Sequence, residues 1–151
     1  MSLRASPATA TRKPPPLLLV RLATMAVVAP WLVRAGLPRL QRWIEPRRPP
    51  PAPDPPATER IEDQLATWVD AIIRRGQPLV RPGCLTRGVT LYYALRREGD
   101  DVALCFGIGT DEGEVAGHCW LDRAGRPVLE RVDPLVMFTE VARVSAEGVT
   151  H

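Results

Sequence analysis

The chain has 151 residues, 45% of them hydrophobic and 25% charged, which is enough apolar material for one modest folded domain. Its net charge of +3 hides an asymmetry: residues 1–48 carry nine Arg or Lys against one acid, whereas the rest of the chain is net acidic. Neither a GxxxxGK[ST] nor a GxGxxG run occurs, which argues against a nucleotide-dependent enzyme, and no CxxC, HExxH or Cys/His cluster points to a metal or other cofactor.

In chain order, residues 1–16 are rich in Ser, Thr, Ala and Pro and are expected to be disordered. Residues 17–44 form an apolar, basic segment with three readings. A transmembrane span is disfavoured, because the longest uncharged run, Leu22 to Val33, has 12 residues and contains Pro30. A secretory signal is disfavoured by Arg21 inside the apolar stretch and by the free thiols downstream. One or two apolar helices, broken near Pro30 and Pro38, fit best, either packed on the body or lying in a membrane interface, with Arg21, Arg34, Arg39 and Arg42 facing water or anionic headgroups. The basic arm implies an anionic partner, a membrane surface or an acidic protein before nucleic acid.

Residues 45–58 hold seven prolines between Pro46 and Pro56 and read as a stiff linker, which makes 59–151 the candidate domain. Thr58 is placed to cap a helix from about Glu59, whose stripe of Ile61, Leu65, Trp68, Val69, Ile72 and Ile73 ends at Gly76 and Pro78. Pro82-Gly83 predicts a turn, and a second helix opens at Cys84 and stops at Gly99. Apolar runs at Val102–Ile108, Val115–Asp122 and Arg126–Val132 predict three strands, and 135–144 a short helix or closing strand. The order implies an α+β fold, with helices on one side of a small antiparallel sheet and an apolar helical extension at the N-terminus.

Cys84, Cys105 and Cys119 are an odd set without disulfide-like spacing, which fits a reducing compartment and hence the cytoplasm. Cys84 stands out because a helix N-terminus favours an anion, and a thiol attacks as its thiolate. His118 is the other histidine besides terminal His151 and falls on a strand, as the base of a thiol nucleophile would. Taking Arg123-Ala124-Gly125 as a three-residue hairpin loop, Glu130 comes to lie opposite His118 on the same face, where it could orient the imidazole. Asp133 is the alternative third residue. Trp120 shares the histidine's face and could wall the site, and Cys119 alternates to the other face.

These segments resemble the short transglutaminase-like (papain-like) cysteine protease of lasso-peptide biosynthesis. The likeness rests on Arg81-Pro82-Gly83-Cys84-Leu85-Thr86-Arg87, on Leu91-Tyr92-Tyr93-Ala94-Leu95-Arg96-Arg97-Glu98-Gly99, on Gly107-Ile108-Gly109, and on His118-Cys119-Trp120-Leu121-Asp122 followed by Gly125-Arg126-Pro127-Val128. The basic N-terminal segment with Arg42-Trp43 is similar in composition. Cys119 stands where the family usually has Ala. The resemblance implies a cytoplasmic peptidase that removes the leader from a ribosomally made precursor peptide, with Cys84 as nucleophile, His118 as base and Glu130 as third residue. It also implies two partners, a separate leader-recognition protein and an ATP-dependent lasso cyclase that takes the freed core. Two alternatives stay open: a peptidase or transamidase of the same fold on another substrate, and a non-catalytic scaffold at a membrane.

Overall fold

The computed structural model describes residues 13–151. The disorder expected for residues 1–16 therefore falls mostly outside the described residues, and at its end Pro16 already opens a helix. Four helices come first, α1 (Pro16–Arg34), α2 (Leu37–Ile44), α3 (Pro55–Arg75) and α4 (Cys84–Arg97). The strands follow as β1 (Ala103–Asp111), β2 (Glu114–Arg123), β3 (Arg126–Val128), β4 (Phe138–Ser145) and β5 (Gly148–Thr150), with a single 3-10 turn at Pro134–Val136 before β4. The sheet is antiparallel in the order β3-β2-β1-β4-β5.

The helices cover one face of the sheet. Leu104, Cys119, Leu121, Val128 and Val144 of the strands share one core with residues of all four helices, including Leu22, Met25, Leu40 and Ile44 of the N-terminal pair. The segment 17–44 is thus part of the body rather than an appendage. Pro30 does not break α1, as its ring would suggest, because Leu22, Met25, Ala26 and Ala29 bury one face of the helix and hold it in place. The break comes at Gly36, whose φ of 102° few other residues adopt, and Pro38 then sits in the first turn of α2. By length and composition α1 could cross a membrane. Its buried face packs against the core, and its outer stripe of Leu17, Val20, Val27 and Trp31 is exposed.

The Pro-rich stretch is shorter than a linker of 45–58 and is docked. Proline is well suited to the first turn of a helix, so α3 starts at Pro55 rather than Glu59. Thr58, expected as the cap, lies inside that first turn and donates its hydroxyl to the carbonyls of Pro53 and Asp54. Gly99, at φ 87°, ends α4 beneath the Pro50 and Pro51 carbonyls, where a Cβ would stand 2.5 Å from the Pro51 oxygen. Glu45 anchors the start of the stretch. Its carboxylate accepts from the Tyr92 hydroxyl at 2.6 Å and from the buried Arg96 guanidinium at 2.6 and 2.8 Å. Arg97 donates to the Ile44 carbonyl at 2.7 Å. Burial and the Glu45 bond push the Tyr92 hydroxyl's pKa far above its ordinary value, so it stays a donor.

The β2–β3 hairpin departs from the expected register by one residue. Its turn has two residues, Ala124 and Gly125 at φ 50° and 80°, and Arg123 pairs with Arg126. Both turn residues being left-handed gives the twist a tight hairpin needs. The strand expected to run to Val132 ends at Val128, because Leu129 is itself left-handed at φ 59° and turns the chain out of the sheet.

The Glu45 anchor makes the N-terminal segment's contribution measurable. Removing the Glu45 carboxylate takes away its bonds from Arg96 and Tyr92, while Arg96 keeps Asp101 at 2.8 Å. Glu45→Ala is expected to lower the unfolding free energy by about 1.5–3 kcal/mol in denaturant titration, and exposed Arg47→Ala to change it by less than about 0.5 kcal/mol.

Candidate active site

Gly83, at φ 142°, lets the chain turn into α4, so Cys84 is the helix's first residue. The N–H groups of that first turn have no partner within the helix, and the helix dipole adds partial positive charge there. Cys84 is half-buried at this mouth.

His118 lies on β2 and faces away from the helices, while Cys119 faces them. The imidazole stacks on Trp120 at 5.9 Å and on Phe138 at 5.0 Å between ring centroids. Glycine opposite His118 makes this stack possible: a Cβ on Gly107 would lie 2.7 Å from the Trp120 indole. The imidazole's Nε2 is 3.3 Å from Glu130 Oε2. A regular continuation of the β2–β3 register would have set Arg131 opposite His118, but the left-handed turn at Leu129 presents Glu130 instead. The left-handed conformation costs a non-glycine residue roughly 1–2 kcal/mol, and such strain gathers at functional sites.

Cys84, His118 and Glu130 line one open cleft of about 520 Å³. Nε2 is the ring nitrogen that Glu130 engages; among the described residues no hydrogen bond joins Cys84 to His118, and the two meet only as walls of the same cleft. Trp120 also lines the cleft. Asp133 lines it too, but its carboxylate accepts from the Leu135 N–H at 2.9 Å and caps the 3-10 turn. At the cleft's rim Arg87, one turn after Cys84, pairs with Asp70 of α3 at 2.8 Å.

Two features escaped the sequence. Phe138 reaches His118 only because β4 pairs with β1, a contact with no local signal. The Asp70–Arg87 pair joins two helices, and only the placing of Arg87 on the Cys84 side of α4 hints at it.

The other two thiols are electrostatically unlike a nucleophile. Burial pushes Cys105 up to about 12 and Cys119 well above the usual thiol range. Both stay protonated at neutral pH, since burial disfavours the charged form.

A family model described as the transglutaminase-like superfamily matches residues 20–143, which takes in nearly all of α1 and most of β4. No curated protein and no solved structure matches the chain.

At pH 7.5 iodoacetamide is expected to alkylate Cys84 in the native protein and to spare Cys105 and Cys119, all three reacting once the protein is denatured. Peptide mass mapping reads this directly. Equal native labelling of the three thiols would remove Cys84's distinction.

Proposed function

The chain belongs to the transglutaminase-like superfamily, and we propose that it is a cysteine peptidase that removes the leader from a ribosomally made lasso precursor peptide. The observation that carries the reading is the cleft that collects a thiol at a helix mouth, an imidazole and a carboxylate bonded to that imidazole. The choice of substrate rests on the resemblance of the Cys84 and His118 segments to the lasso-peptide protease.

In this reading His118 takes the proton of Cys84 as the sulfur attacks. The thiolate attacks the carbonyl carbon of the leader–core amide. The first-turn N–H groups of α4, that of Cys84 among them, offer hydrogen bonds to the oxyanion. Protonated His118 gives its proton to the departing core amine as the C–N bond breaks. Water, deprotonated by His118, then hydrolyses the leader thioester and regenerates the thiol. Glu130 holds the ring by Nε2 and stabilises its charged form, a positioning role.

A separate leader-recognition protein presents the precursor, and an ATP-dependent cyclase consumes the freed core amine. The exposed apolar stripe of α1, flanked by Arg21 and Arg34, is a face on which such a partner could seat. Three unpaired thiols agree with a cytoplasmic setting.

With purified precursor and partner, Cys84→Ala and His118→Ala should abolish cleavage as followed by mass spectrometry, and Cys105→Ala should not. Glu130→Gln should lower kcat by about 10²-fold or more with little change in KM, since the residue orients the base. Asp133→Asn should stay near wild type. Cleavage retained in Cys84→Ala would end this reading.

A further inference from the structure

β2 runs for ten residues, yet β3 pairs with only Leu121, Asp122 and Arg123. On its other side β2 is paired with β1 along nearly its whole length, from Glu114 to Asp122. Between Glu114 and Trp120 the outer edge has, among the described residues, no strand beside it.

The tight turn decides which backbone groups point outward. Residues flanking a two-residue turn exchange hydrogen bonds, so Arg123 directs its N–H and C=O toward β3. Alternation along the strand gives Leu121, Cys119, Gly117 and Val115 the same direction. Leu121 is matched by Val128, which leaves Cys119, Gly117 and Val115 with outward backbone groups on either side of His118. The edge is accessible at Gly117 and Val115, and Cys119, buried overall, meets the opening as part of the cleft's wall. Gly117 is exposed, a side chain on it would meet nothing nearer than the Gly107 oxygen at 3.9 Å, and Val115 is 81% exposed. Natural proteins usually cover or charge such an edge.

This open edge adjoins the cleft. Cys119 and His118 line one side of it, and the segment from Leu129 to Pro134, turned away by the left-handed Leu129, lines the other. The cleft between them, about 520 Å³, has room for a short extended peptide, whereas a second copy of the protein would bring a whole sheet against that segment.

Resting on the peptidase reading above, we propose that the substrate binds as an added strand along β2. An extended peptide pairs its backbone with Gly117 and Cys119 and so carries its amide into the cleft that Cys84 and His118 line. Recognition of this kind depends on main-chain groups, with side chains alternating toward and away from the cleft. The apolar side chains of Val115, Val132 and Met137, each at least half exposed, would flank the bound chain.

The test uses a peptidyl chloromethyl ketone of four apolar residues, which labels Cys84 as the sulfur displaces chloride, and a series of its analogues N-methylated at one residue each. Labelling rates should fall about tenfold or more for methylation at alternate residues, each losing one strand hydrogen bond, and change less than about threefold at the residues between. A flat series, or one in which every position matters equally, would overturn the strand mode. Dimerisation through the edge in sedimentation analysis, lost on adding the probe, would place a second copy there and overturn it as well. Iodoacetamide keeps the two readings apart. If His118→Ala slows iodoacetamide alkylation of Cys84 while the methylated series is flat, the peptidase stands and the strand mode fails. If His118→Ala changes nothing, the catalytic pair itself fails.

Discussion

Helix α4 lies close against β2 at Gly88. A Cβ at this position would stand 2.9 Å from Cys119 Sγ and 3.3 Å from Leu104 Cδ1, so a larger residue would force those side chains to shift. One turn toward the N-terminus of α4 is Cys84, and one residue before Cys119 on β2 is His118. The contact therefore fixes the relation between the two elements that carry the candidate nucleophile and base. Chemistry that depends on ångström-scale placement is built here on a helix and a strand, not on loops.

The rest of the chain braces that helix. α1 and α3 pack beside α4 and bury Leu22, Met25, Leu65 and Val69 in a core shared with Tyr92 and Leu95. Glu45 grips Tyr92 and Arg96, and the prolyl stretch crosses Gly99 at the helix's far end. A small domain with a five-stranded sheet and short edge strands has little core to spare, and the N-terminal helices supply a good part of it. The basic excess of the first third lies on the outside of these helices, at Arg21, Arg34, Arg39 and Arg42, away from the buried contacts that hold them.

Much of this was legible wherever a local rule governs. Gly83, Gly76 and Gly99 punctuate the helices, so the placing of Cys84 at a helix mouth follows from the chain itself. The two-residue period of a strand put His118 with Trp120 and Cys119 on the opposite side, as their packing has it. What failed was set by tertiary contacts or by unfavoured backbone states. Nothing in the residue type announces that Ala124 and Leu129 are left-handed, yet the first shifts the hairpin by one residue and the second brings Glu130 to His118. The expected opposition of Glu130 and His118 thus rested on a register the chain does not adopt. The proline run looked like a spacer because its docking partner, Gly99, is some fifty residues away in sequence.

The site is an assembly of unremarkable parts, each with an ordinary alternative role, and its meaning lies in whether thiol and imidazole come within reach of one small molecule. Bridging by 1,3-dibromoacetone measures that most directly. The reagent should alkylate Cys84 and then close onto His118, giving in the digest a single species that joins the two peptides through three carbons. Cys84 alkylated with His118 unmodified, or a bridge from Cys84 to Cys119 instead, would contradict the pairing on which the catalytic reading stands.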